Sequence, residues 1–160
     1  MSLGGFFLAL ISSSLVALLS VQFALRKFKL EKRWEKKLDC YSDIMDSLGR
    51  VIIYVDMALD VNDGVNHDDV AFKAQKIKFN EAIVKMQFHE YSSAILLDDS
   101  SHAAVTEFSN KLFRVETSCT DQQKLGKLRE DATSCLSVIS SNGKRVLIDQ
   151  DSLINIFSIN

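Results

Sequence analysis

Polar and apolar positions along this chain follow two different patterns. From Leu3 to Leu25, 23 residues carry no charge, and only serines, two glycines and Gln22 interrupt the apolar side chains. At about 1.5 Å per residue such a helix reaches roughly 34 Å, enough for a hydrocarbon core of about 30 Å, so a transmembrane helix is predicted. Ser12, Ser13 and Ser14 are compatible with it, because a hydroxyl can bond back to a carbonyl of its own helix.

Beyond residue 37 the period is that of packed helices. Leu38, Tyr41, Met45, Leu48, Ile52, Val55 and Leu59 alternate spacings of three and four, a heptad seam, and Trp34 precedes Leu38 by four. Only Gly49 among the residues from Leu25 to Asp60 disfavours helix, so the span and this helix are expected to be continuous. Asp60 to Asp69 reads as a turn around Asn62-Asp63-Gly64, with Asn66 capping the next helix. Calcium binding there fails on register, since placing Gly64 sixth in a calcium loop puts Leu59 first, where a carboxylate is needed.

In the next helix Ile77, Val84, Phe88, Tyr91 and Ile95 fall on one stripe, which is expected to face the core. Phe72, Phe79, Ile83 and Met86 widen it, which predicts contact with more than one neighbour. Asp98 to Ser101 supplies a turn and cap. Val105, Phe108, Leu112, Val115 and Cys119 then predict a third helix. After Thr120-Asp121, the residues Leu125, Leu128, Ala132, Cys135 and Ile139 predict a fourth, ended by Asn142-Gly143. Short connections favour antiparallel neighbours. The expected fold is all-α: a transmembrane helix (3–25), a basic juxtamembrane segment (26–37), a cytoplasmic antiparallel four-helix bundle (38–142) and an apolar tail (143–160).

Composition agrees. A chain of 160 residues, 47% apolar, can bury one core, and the absence of proline with only six glycines excludes turn-dense β sandwiches. The net charge of −2 conceals an asymmetry. Arg26, Lys27, Lys29, Lys32, Arg33, Lys36 and Lys37 stand against Glu31 and Glu35 alone, whereas residues 38–160 hold 12 basic and 19 acidic side chains. Basic residues stay on the cytoplasmic side of a span, which predicts an outside N-terminus and a cytoplasmic C-terminus, in the inner membrane if the source is bacterial. The same cluster is expected to touch anionic lipid, and the acidic remainder argues against nucleic acid. A cleaved signal peptide fits poorly: MSLGGFF lacks a basic residue and the apolar run is too long.

Gly5, Ala9, Ser13 and Ala17 recur every four residues, a small-residue stripe through which two spans can approach, so a homo-oligomer is expected. Leu153, Ile154, Ile156, Phe157 and Ile159 crowd the tail and are expected to pack on the bundle or on a partner protein.

Catalytic signatures are missing. His67, His89 and His102 lack Glu-x-x-His or His-x-x-x-His spacing, Asp99-x-x-His102 falls in a capping turn, and no phosphate loop or nucleophile elbow occurs. Neither a metal nor another cofactor, nor a small-molecule substrate, is predicted. Cys119 and Cys135 sit at heptad core positions, while Cys40 lies off the seam, exposed or open to palmitoylation. The layout resembles the b-type stalk subunits of ATP synthases, but those are one unbroken Ala-rich helix, and here Asn62-Asp63-Gly64 and Asp98 to Ser101 interrupt it. The expected function is a non-enzymatic, membrane-anchored module that tethers or regulates an unidentified cytoplasmic protein. The alternative is a membrane-acting effector of a bacterial defence or stress system, whose spans assemble into a lesion.

Overall fold

A computed structural model describes residues 3–112 and 120–157, with side chains from Ser13 to Leu112 and from Thr120 to Ile148. The described residues form four helices, α1 (Leu3–Asn62), α2 (Asp69–Leu96), α3 (Asp99–Leu112) and α4 (Asp121–Phe157). The chain divides into two units, residues 1–36 and residues 37–160.

In the first unit the expected helical continuity from the apolar stretch through Trp34 is present, since α1 is one element. Among the described residues no helix is long and apolar enough to cross a membrane. The described apolar side chains run only from Ser13 to Leu25 before Arg26, about 20 Å of helix. The side chains of residues 3–12, which complete the predicted span, lie outside the described residues.

The second unit is an all-helical bundle. Cross-helix contacts fix the directions. Asp56 meets Arg129 and Asp63 accepts from Gln122 at 3.1 Å, so α1 and α4 run antiparallel. Cys135 donates to the Ala104 carbonyl at 3.5 Å and Lys111 to Asp131 at 2.8 Å, which opposes α3 to α4. Lys85 lies 3.6 Å from Asp43, and Tyr54 stacks at 5.6 Å on Phe72 and 4.5 Å on Phe79, opposing α2 to α1.

The core is the set of side chains these directions bring together: Tyr41, Ile44, Leu48, Val51 and Val55 of α1 with Met86, Phe108 and Ile139. Compared with the predicted α1 seam, burial has rotated. Tyr41, Leu48 and Val55 are buried, Met45, Ile52 and Leu59 only partly, and Ile44, Val51 and Cys40 join the interior. One helix packed on several neighbours covers a wider arc than an a/d seam. Cys40 is therefore buried, not exposed.

The larger correction concerns α2. Its predicted core stripe points away from the bundle: Phe88, Tyr91 and Ile95 are 72%, 78% and 81% exposed, and Ile77 and Val84 are exposed too. Ala82, Met86 and Ser93 are buried instead, with Phe79 and Ile83 packed beside them. Both faces of α2 are apolar, and periodicity alone does not say which one the bundle takes.

The helix ends also differ. Asp68, not Asn66, caps α2 by accepting from the Ala71 amide at 3.2 Å. Gly64 provides the left-handed turn residue, at φ 86°. α4 opens on a capping box in which Thr120 Oγ1 accepts from the Gln123 amide while the Gln123 side chain accepts from the Thr120 amide. It does not stop at Asn142-Gly143 but continues to Phe157. Gly143 is buried against the Tyr41 ring, where an added Cβ would lie 3.4 Å from Cδ1, so this glycine serves close helix approach. The predicted boundary between bundle and tail at residue 143 is thus inside a helix.

Glycine substitutions separate these roles. Gly49 and Gly126 are helical with nothing within 4 Å of an added Cβ, so Gly49→Ala and Gly126→Ala should each stabilise the fold by about 0.5–1 kcal/mol in urea denaturation. Gly64→Ala should destabilise it, because its φ is strained for any side chain.

Candidate functional site

Where α1, α4 and the α2–α3 turn meet, polar side chains converge on Asp98. Its carboxylate caps α3, accepting from the Ser101 amide at 2.9 Å and from the Ser100 hydroxyl at 2.7 Å. Tyr41 reaches it from α1 and donates at 2.6 Å, Ser101 donates its hydroxyl at 3.0 Å, and Asn142 of α4 donates at 3.3 Å. Asn142 also meets Ser100 and Ser101, at 2.8 and 2.9 Å. A charge at a helix N-terminus, satisfied by neutral donors from two other helices, is a strong joint.

Protonation here is fixed, not poised. Partial burial opposes the Asp98 charge, but hydrogen bonds from Tyr41, Ser100 and Ser101 outweigh it and hold the carboxyl well below the ordinary carboxylate range. Burial, and then the bond to that carboxylate, pushes the Tyr41 phenol up to about 12. Neither group exchanges a proton near neutrality, so the cluster is suited to holding helices in register, not to acid–base work.

A second group lies between α1 and α2. His89 Nδ1 is 4.0 Å from Cys40 Sγ, and its Nε2 is 3.9 Å from Asp43. Burial pushes the Cys40 thiol up and the His89 imidazole down, the latter despite Asp43, so the pair is thiol beside neutral imidazole and offers no thiolate nucleophile. Cys135, where the sequence expects a core residue, is buried and its thiol is raised to about 12.

Between α2 and α3 a groove of about 670 Å³ is lined by Glu90, His102, Thr106, Glu107, Ser109 and Lys111. Ser93 donates to the Glu90 carbonyl and lies 2.9 Å from His102 Nδ1. Thr106 Oγ1 and Ser109 Oγ have no hydrogen-bond partner among the described residues. No group of three or more metal-ligating side chains occurs among the described residues.

The residues singled out from sequence fall elsewhere. Ser13 and Ala17 are exposed on α1, while the side chains of Gly5 and Ala9 lie outside the described residues. Arg26, Lys27, Lys29, Lys32, Arg33 and Lys36 are exposed and Lys37 is half-buried. Lys27 and Lys32 pair with Glu31 and Glu35 of the same helix, surface pairs that contribute little. Leu153, Ile154, Ile156 and Phe157 occupy the last turns of α4 with side chains outside the described residues, as Ile159 is entirely. Cys119 and Val115 lie outside them too. The Tyr41–Asp98–Asn142 joint was not foreseen beyond the Asp98 cap, because its members are 57 and 44 residues apart.

The joint and the Cys40–His89 group together make stability depend on pH. His89, depressed in the fold, binds protons more readily when unfolded, so stability should begin to fall below about pH 6.5. Asp98, also depressed, adds a further loss below about pH 4. Tyr41, raised, holds its proton better in the fold, so stability should decline above about pH 10. Tyr41→Phe should cost about 1–3 kcal/mol at neutral pH and lessen the alkaline decline, leaving the part due to the raised Cys40 and Cys135 thiols, measured by urea denaturation across pH.

Compared with known proteins, the chain matches no family model, no curated protein and no solved structure.

Proposed function

We propose that this chain is a membrane-anchored helical interaction module. Residues 3–25 cross a bilayer with the N-terminus outside, and residues 26–37 rest on the anionic cytoplasmic leaflet. The helices beyond hold or regulate a protein partner without catalysing a reaction. The observation that carries the reading is the surroundings of the first part of α1. Leu15, Val16, Leu18, Leu19 and Val21 spread over more than half of the helix circumference, with Ala17 and Ala24 on the rest, and every one of the five is exposed, as Phe23 is at 68%. A helix apolar around its whole circumference belongs in lipid, and the charge-free sequence back to Leu3 supplies the length.

The basic cluster supports the direction. Near an anionic leaflet each Lys or Arg gains about 1 kcal/mol, and seven of them directly follow the apolar stretch. The bundle supports the non-enzymatic part of the reading: the buried ionisable groups Tyr41, Cys40 and Cys135 are all shifted towards their neutral forms.

Membrane extraction tests the anchor. The full chain should stay in the membrane pellet through an alkaline carbonate wash, and a chain lacking residues 3–25 should leave it. A reporter fused after Asn160 should be active only in its cytoplasmic form. Release of the full chain, or an exported reporter, overturns the proposal. Loss of membrane potential in cells expressing residues 1–37 alone would point instead to a membrane-acting effector, whereas insertion without depolarisation supports the interaction module.

A further inference from the structure

We propose that the outward face of α2 is the surface through which two copies of this chain pair, α2 against α2 in antiparallel orientation. This deepens the self-association expected of the module, but it uses no part of residues 3–37, so it stands or falls apart from the anchor.

The face has the geometry of a two-stranded seam. From Val70 to Ile95 its positions recur at alternating intervals of four and three, the heptad period at which helices interlock. They lie opposite the side that packs Ala82, Met86 and Ser93 into the bundle. Taking the large side chains at their usual areas and observed exposures, the stripe leaves on the order of 600 Å² of apolar surface in water. That equals the largest patches on ordinary monomers and approaches the roughly 800 Å² per partner of a stable interface.

The stripe is complementary to itself when one copy is reversed. Antiparallel packing sets a positions against d positions, and a single register then uses the whole stripe without overhang. Val70 meets Ile95, Ala74 meets Tyr91, Ile77 meets Phe88 and Glu81 meets Val84, each pair occurring twice by two-fold symmetry. The smallest seam residue therefore faces a large ring. Charge is balanced: the Glu81 carboxylates are offset from one another, and Lys78 and Lys85, which face each other across the antiparallel seam, each lie within one turn of the Glu81 of their own helix. In a parallel pair, Glu81 would meet Glu81 directly in the seam, like charges in contact with no offset. A lipid surface fits less well, because Glu81 sits in the middle of the face.

Disulfide trapping in the full chain tests the pairing. Coexpressed A74C and Y91C chains, or the double variant A74C/Y91C, should give a covalent dimer on copper-phenanthroline oxidation in air. With Cys119→Ser in every chain, neither single variant should exceed the parent, whose remaining Cys40 and Cys135 are buried. F88E/I95E should shift the full chain in mild detergent from dimer to monomer mass by light scattering, with its helical circular dichroism unchanged. Strong trapping by A74C alone would mean a parallel pair and overturn the proposal. So would absence of trapping, or a monomer whose α2 face is protected only by vesicles of phosphatidylcholine and phosphatidylglycerol.

Discussion

The register of the bundle depends on one carboxylate. Asp98 caps α3 and takes hydrogen bonds from Tyr41 on α1 and Asn142 on α4, so three helices are aligned at one level. Because its donors are neutral, the charge is stabilised without bringing a second charge into the interior, which avoids the large desolvation cost of a buried ion pair. The residue after Asn142, Gly143, lets α4 approach the Tyr41 ring. Two further cross-links between α1 and α4, Asp56 with Arg129 and Asp63 with Gln122, fall in the same register further along.

Register in turn decides which side of each helix is covered. α2 has apolar residues on two faces, and the bundle has room for one. With His89 beside Cys40 and Ser93 beside His102, the face carrying Met86 turns inward. Phe88, Tyr91 and Ile95 are left outside. The first part of α1 likewise keeps its apolar side chains exposed, over more than half of its circumference. Exposed apolar surface on this scale is costly in water. The proposed function and the proposed pairing each name what covers one of these surfaces: lipid for α1, a second α2 for the other.

The polar clusters join helices of the bundle. The phenol, the carboxylate and the thiols are groups that the fold shifts further from the neutral range than they ordinarily lie. Catalytic groups are tuned towards that range.

The sequence by itself determined the local structure. The alternation of threes and fours marked α1 beyond residue 37, α3 and the start of α4, Thr120 and Asp98 marked helix starts, and Asn62-Asp63-Gly64 marked the first break. These signals lie within one or two turns of the residues they govern. Only the tertiary structure decided that Asn142-Gly143 is a packing contact and not a helix stop, that Cys40 is inside, and that the stripe from Ile77 to Ile95 is outside. Each of those outcomes depends on what a distant segment places against the residue: Tyr41 against Gly143, His89 against Cys40, and the α1 core face against the other side of α2. Periodicity records that a face is apolar, but the partner that covers it is selected by three-dimensional packing.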